Sequence, residues 1–97
     1  MKIPKKIKIV GTDWKVELNN NYCKKEKCLG QMYPNEGKIY YCDKYKNKKI
    51  SKSKIEETFL HEWVHAMFNT NGIEDDNEQF VNILATNILQ LFNQLKK

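Results

Sequence analysis

The spacing of apolar residues changes once along this chain, near residue 50. Before that point the apolar residues alternate. Ile7 and Ile9 alternate with Lys6 and Lys8, and Trp14, Val16 and Leu18 alternate with Lys15 and Glu17, the period of two that half-buries a strand. Gly11-Thr12-Asp13 is a turn signal between the two runs, so the start of the chain reads as a hairpin. Asn19-Asn20-Asn21 and Lys24-Lys25-Glu26-Lys27 read as an exposed loop. Leu29 to Tyr33 reads as a third strand and Pro34-Asn35-Glu36-Gly37 as a turn. Lys38 to Cys42, rich in aromatic and β-branched residues, reads as a fourth strand and a candidate sheet edge. Asp43 to Lys52 is polar and basic, a connector.

After residue 50 the period becomes helical. Ser53-Lys54-Ile55-Glu56 fits a capping box and predicts a helix from there to about Asn69, with Gly72 available to end it. Apolar residues from Ile55 to Phe68 cover well over half of its circumference, which predicts a largely buried helix. The remaining arc holds Thr58, His61, Glu62, His65 and Asn69. Asp75-Asp76-Asn77 supplies a cap and acidic first-turn character for a last helix over roughly 77–95. Its expected apolar face comprises Phe80, Val81, Leu84, Ala85, Ile88, Leu91, Phe92 and Leu95, turned toward the preceding helix. The expected fold is therefore α+β: a short N-terminal antiparallel sheet of three to four strands packed against two C-terminal helices.

Composition narrows the class. The 97 residues make one domain over 1–97, strand-rich to residue 50 and helical from 51, with 40% hydrophobic and 30% charged residues, as in ordinary globular chains. No apolar run reaches the roughly 20 residues a membrane helix needs, and no secretory signal follows the basic start. The expectation is a cytoplasmic protein without a membrane partner. Charge is unevenly divided. Fifteen lysines and five acids precede Ile55, a net +10, whereas two lysines and seven acids follow, a net −5. The basic half reads first as a solvated surface, with nucleic acid the less favoured partner because the chain has no arginine for bidentate guanine contacts. Cys23, Cys28 and Cys42 are odd in number and read as reduced, ordinary small side chains rather than a disulfide or second metal site.

The chemistry lies in the polar arc of the first long helix. His61-Glu62-Trp63-Val64-His65 is an H-E-x-x-H pattern, and residues four apart on a helix share one face. His61 and His65 can therefore offer two imidazole nitrogens to a single zinc ion, with Glu62 flanking them as the base for a water molecule. A third ligand must come from elsewhere. Glu78, in the first turn of the last helix, is favoured, and Glu74, Asp75 and Asp76 are competitors. A third histidine does not exist. Tyr33, Tyr40 and Tyr41 earn no catalytic role.

Thr58 to Met67 resembles the extended signature of zincin metallopeptidases: Thr three positions before the first His, uncharged variable sites, an apolar residue two positions after the second His. Asn77 to Ala85 is similar to the following helix of small phage- and prophage-encoded zinc peptidases of ImmA/IrrE and SprT-like type, and Leu29-Gly30-Gln31 with Lys38-Ile39-Tyr40 is similar to their short sheet. The resemblance implies a minimal zincin-like fold and one Zn2+ held by His61, His65 and Glu78. It implies Glu62 as general base and a protein or peptide substrate, a regulatory protein in a phage–host setting and hence in the host cytoplasm. A non-catalytic zinc-containing interaction module and a DNA-associated SprT-like peptidase are the alternatives.

Overall fold

The computed structural model of the protein describes residues 1–74 and 77–96. Its elements in chain order are β1 (Lys6–Ile9), β2 (Thr12–Leu18), α1 (Asn20–Glu26), β3 (Gly30–Tyr33), β4 (Lys38–Tyr41), β5 (Lys44–Tyr45), β6 (Lys48–Lys49), α2 (Lys52–Thr70) and α3 (Glu78–Leu95). The fold is α+β, with a four-stranded sheet ahead of the two long helices.

Two features depart from the expected strand order. The sheet runs β1-β2-β4-β3, and β2 pairs with β4 in parallel, with Val16 opposite Ile39. The β1/β2 and β3/β4 pairs are antiparallel, so the sheet is mixed rather than antiparallel throughout. The cause is the segment read as a loop. Asn19 caps a short helix by accepting from the Tyr22 amide, and this α1 carries the chain past β4's position before the β3–β4 hairpin brings it back beside β2. Parallel neighbours require such a crossover. Consequently β4 is interior, and β3, not the expected Lys38–Cys42 strand, is the free edge beside α2. The Asp43–Lys52 connector also contains structure, the small β5–β6 hairpin.

Alternation decides what the sheet buries. Trp14, Val16 and Ile39 point to one face and meet Phe59, Leu60 and Ala66 of α2, with Ala85 and Leu89 of α3 completing the main core. A second cluster of Val64, Phe68 and Val81 joins the two helices further along. On the opposite face of the sheet, Tyr22 of α1 stacks on Tyr40 at 4.5 Å between ring centres and shares a hydroxyl contact with Tyr33. Cys23 and Cys42 are buried between α1 and the end of β4, each thiol directed at the Leu29 carbonyl at 3.6 and 3.5 Å, and burial raises both thiol pKa values.

α2 starts two residues earlier than the capping-box pattern implied. Ser51, in an extended conformation, accepts from the Lys54 amide, so Ser51 and not Ser53 is the cap. Glu56, expected to complete the box, is instead buried and pairs with the Met1 ammonium at 2.8 Å. α3 follows the prediction at its start, where the Asn77 side chain accepts from the Phe80 amide. Its apolar face does so in part. Val81 and Ala85 are buried, Leu84 and Ile88 pack against the core clusters, and Leu89, not expected there, is buried too, whereas Phe80, Leu91, Phe92 and Leu95 are exposed. The helix is apolar over more of its surface than α2 and the sheet can cover, and its packing face is the side nearest Ala85, where small side chains permit close approach.

Candidate metal centre

Two elements converge on one group of side chains. α2 supplies His61 and His65, one turn apart, their rings edge to face with centres 4.9 Å from each other. α3 supplies Glu78 from its first turn. Glu78 Oε2 lies 2.9 Å from His61 Nε2 and Oε1 lies 2.7 Å from His65 Nε2, so a single carboxylate bridges both imidazoles. The donor atoms of these three residues all lie within 4.8 Å of one another, a group that could hold a metal ion. In a tetrahedral zinc site, bonds near 2.0 Å put donors about 3.3 Å apart, a separation that lies between the two nitrogen–oxygen contacts and the 4.8 Å limit of the group. The imidazoles are mostly covered and the carboxylate mostly exposed, leaving the solvent side of the group open.

The orientation of His61 is set by a residue the sequence reading did not single out. His61 Nδ1 is within hydrogen-bond distance of Asn82 Oδ1 at 2.8 Å, which leaves Nε2 as the nitrogen that faces Glu78 and could bind a metal ion. Such outer partners orient a ligand and raise its basicity. Asn82 sits one turn after Glu78 on α3, so one helix face delivers both the third donor and the support for the first. That four-residue spacing was visible in the sequence, but an asparagine on a helix carries no signal until its histidine partner is known.

Glu62 lies beside the histidines, against β3. The residue is 8% exposed, and its carboxyl is pushed up to about 7. Burial is the main cause. The His61 side pulls it down, the Glu78 charge pushes it up, and a hydrogen bond from the Met32 amide pulls it down again. Position 30 makes this approach of strand and helix feasible. A Cβ on Gly30 would lie 2.7 Å from the Thr58 methyl, 3.0 Å from the Tyr40 carbonyl and 3.4 Å from Glu62 Cγ, so the strand can come this close only as glycine. Thr58 and Glu62, read as part of a polar arc, are thus covered by the sheet edge rather than by water.

Two clefts flank the centre along β3. One, of about 210 Å3, is lined by Leu29, Gly30, Thr58, His61, Glu62 and Asn82 among others. The other, of about 510 Å3, is lined by Met32, His65, Phe68, Gly72 and Glu74 with their neighbours. Of the other carboxylates considered as third ligand, Glu74 lies in the second cleft and outside the donor group. Asp75 and Asp76 fall outside the described residues. Tyr33 and Tyr40 belong to the aromatic cluster on the far face of the sheet, and Tyr41 packs against the main core.

Comparison of the chain with protein-family models, curated proteins and solved structures gave no match. No helix among the described residues is long and apolar enough to cross a membrane.

Proposed function

We propose that this chain is a zinc-dependent peptidase of H-E-x-x-H type, with His61, His65 and Glu78 as the metal ligands and Glu62 as the general base. The observation that carries the reading is the bridging Glu78 carboxylate, a third donor brought from a separate helix onto the two imidazoles beside a buried glutamate. When bound, a zinc ion supplies Lewis acidity toward water and toward the scissile carbonyl. Nitrogen and carboxylate donors in this number suit zinc, and the cation-free stretch 56–95 favours any divalent ion electrostatically. Glu62 accepts the proton of the attacking water and passes it to the leaving amine. A carboxyl that titrates near neutrality is suited to both transfers.

The substrate in this reading is an extended segment of a protein. β3 is a free edge whose residues border both clefts, Gly30 on the Glu62 side and Met32 on the His65 side. A peptide added along that edge would cross the metal centre.

The test is cleavage of an unstructured protein such as reduced casein by the zinc-loaded chain and by Glu62→Gln. The substitution should lower the rate by about 10²–10⁴-fold with zinc content and circular dichroism unchanged. Equal cleavage by the two proteins would rule out Glu62 as base. Stoichiometric zinc with no cleavage by either would assign the site to a non-catalytic zinc module instead.

A further inference from the structure

The largest feature that the metal centre leaves unexplained is the outer side of α3. Phe80, Leu91 and Leu95 are 44%, 53% and 70% exposed, and half-buried Leu84 lies with them on one stripe. The stripe lies beside the buried row of Val81, Ala85 and Leu89; its first half also touches α2, where Phe80 stacks on Phe68 and Leu84 borders the second core cluster, and both keep their outer sides exposed. Single exposed apolar residues are ordinary, but a continuous row along a whole helix marks a contact surface.

We infer that this stripe is where two copies of the chain meet, with their α3 helices packed antiparallel about a two-fold axis between Asn87 and Ile88. Spacing selects a second copy as the occupant. Reversing the helix about that midpoint exchanges Phe80 with Leu95 and Leu84 with Leu91, so the row is its own complement when read backwards. A two-fold contact demands this property, since each residue must meet the site its partner occupies. A contact with an unrelated protein does not. At the midpoint, the Asn87 amide bonds back to the Ile83 carbonyl at 2.7 Å, which holds the side chain against its own helix.

Charge agrees. The chain is net +5, and two copies repel through most orientations, yet α3 has no charged residue from Gln79 to Leu95. Its ends carry opposite signs, Glu78 at the start and Lys96 at the cap. Antiparallel packing brings unlike ends together, and parallel packing brings like ends together. The polar side of the helix is built from Gln79, Thr86, Gln90, Asn93 and Gln94, without the basic rim a helix needs to lie on an anionic bilayer. Area also agrees. The helix offers about 27 Å of length at 1.5 Å per residue. Beside the stripe, an apolar groove of about 360 Å3 lined by Met1, Pro4, Ile7, Trp63, Ile88 and Phe92 widens the surface toward the roughly 800 Å2 a stable interface takes from each partner.

The inference does not rest on the metal reading and is tested without metal or substrate. Sedimentation equilibrium of the whole chain, from micromolar to near-millimolar, should give twice the 11.6 kDa monomer mass at the upper end. Leu91→Glu should halve that mass with far-UV circular dichroism unchanged. Should Leu91→Glu fail to fold, Leu95→Glu at the more exposed position makes the same test. The double variant L84K/L91E should restore the dimer, because antiparallel packing sets each new lysine against a new glutamate, whereas parallel packing sets like against like. A monomeric wild type, an open-ended series of larger species, or a dimer indifferent to Leu91→Glu and Leu95→Glu would each overturn the proposal. So would monomeric wild type that sediments with phosphatidylcholine vesicles, which would assign the stripe to a lipid surface. Failure of L84K/L91E to re-form the dimer would overturn the antiparallel arrangement.

Discussion

α2 and α3 are nearly equal in length and lie against each other, with Phe68 stacked on Phe80 at one end and His61 bonded to Asn82 further along. Their interiors are opposites. α2 is covered on nearly every side by the sheet and by α3, and it buries Thr58, Glu56 and Glu62 as well as its apolar residues. α3 is the more consistently apolar by composition, yet among its described residues only Val81, Ala85 and Leu89 are buried. Hydrophobic content therefore does not rank these helices by burial; position between layers does. Most polar groups of the candidate metal centre sit on the helix with least access to water, where burial raises a carboxyl pKa. The helix with most access contributes one donor from its exposed first turn.

This contrast can be broken in order of expected effect. The same truncation on both helices is the largest test. Phe59→Ala, at 4% exposure in the main core, should cost about 3–5 kcal/mol in urea unfolding. Phe92→Ala, at 44% exposure on α3, should cost under about 1 kcal/mol when measured at dilution. Comparable losses would mean that α3 is as deeply packed as α2.

Next comes the buried carboxyl. In metal-free protein the Glu62 carboxyl is raised from its ordinary 4.5 to about 7. Its contribution to stability is thus fully present below pH 4.5 and lost as pH rises through 7. In EDTA at pH 8, Glu62→Gln should therefore be more stable than the wild type by roughly 2–3 kcal/mol, and the difference should shrink as the pH falls to 5. An unchanged difference across that range would show that Glu62 is not held in a desolvated site.

A smaller effect should come from the orienting residue. Asn82→Ala should weaken zinc binding about 10–100-fold in a competitive chelator titration, while leaving the unfolding midpoint of the metal-free protein nearly unchanged because Asn82 is exposed. The smallest concerns how α2 begins. Ser51→Ala should cost about 1 kcal/mol, and Ser53→Ala, inside the first turn and uninvolved in the cap, should be neutral or stabilise by a few tenths of a kcal/mol, because alanine is the better helix former.

The site was more legible in the sequence than its surroundings. His61, Glu62 and His65 are tied together by helix periodicity alone, which is local and needs no knowledge of the fold. Glu78 was one of four acidic candidates, and only the approach of α3 to α2 separates it from Glu74, because a ligand's reach depends on where a second element docks. Asn82, Gly30 and the Met32 amide were silent for the same reason. Each matters through a partner from another element, and none has an unusual neighbour in sequence. The capping box misled because Ser51 and Ser53 offer the same chemistry two residues apart, and Glu56, which would have completed the box, pairs with the distant Met1 ammonium instead.

The chain by itself determined the α+β class, the period-two strands around Trp14, Val16 and Ile39, the two long helices, and the H-E-x-x-H pair with its intervening glutamate. These follow from interactions between residues a few positions apart, where backbone geometry leaves little choice. Tertiary structure alone decided the parallel β2/β4 pairing, the exposure of the β3 edge, the placement of Glu78 against the two histidines and the side of α3 that faces inward. Each of those compares the free energies of whole arrangements, in which the area buried by one element depends on where every other element lies.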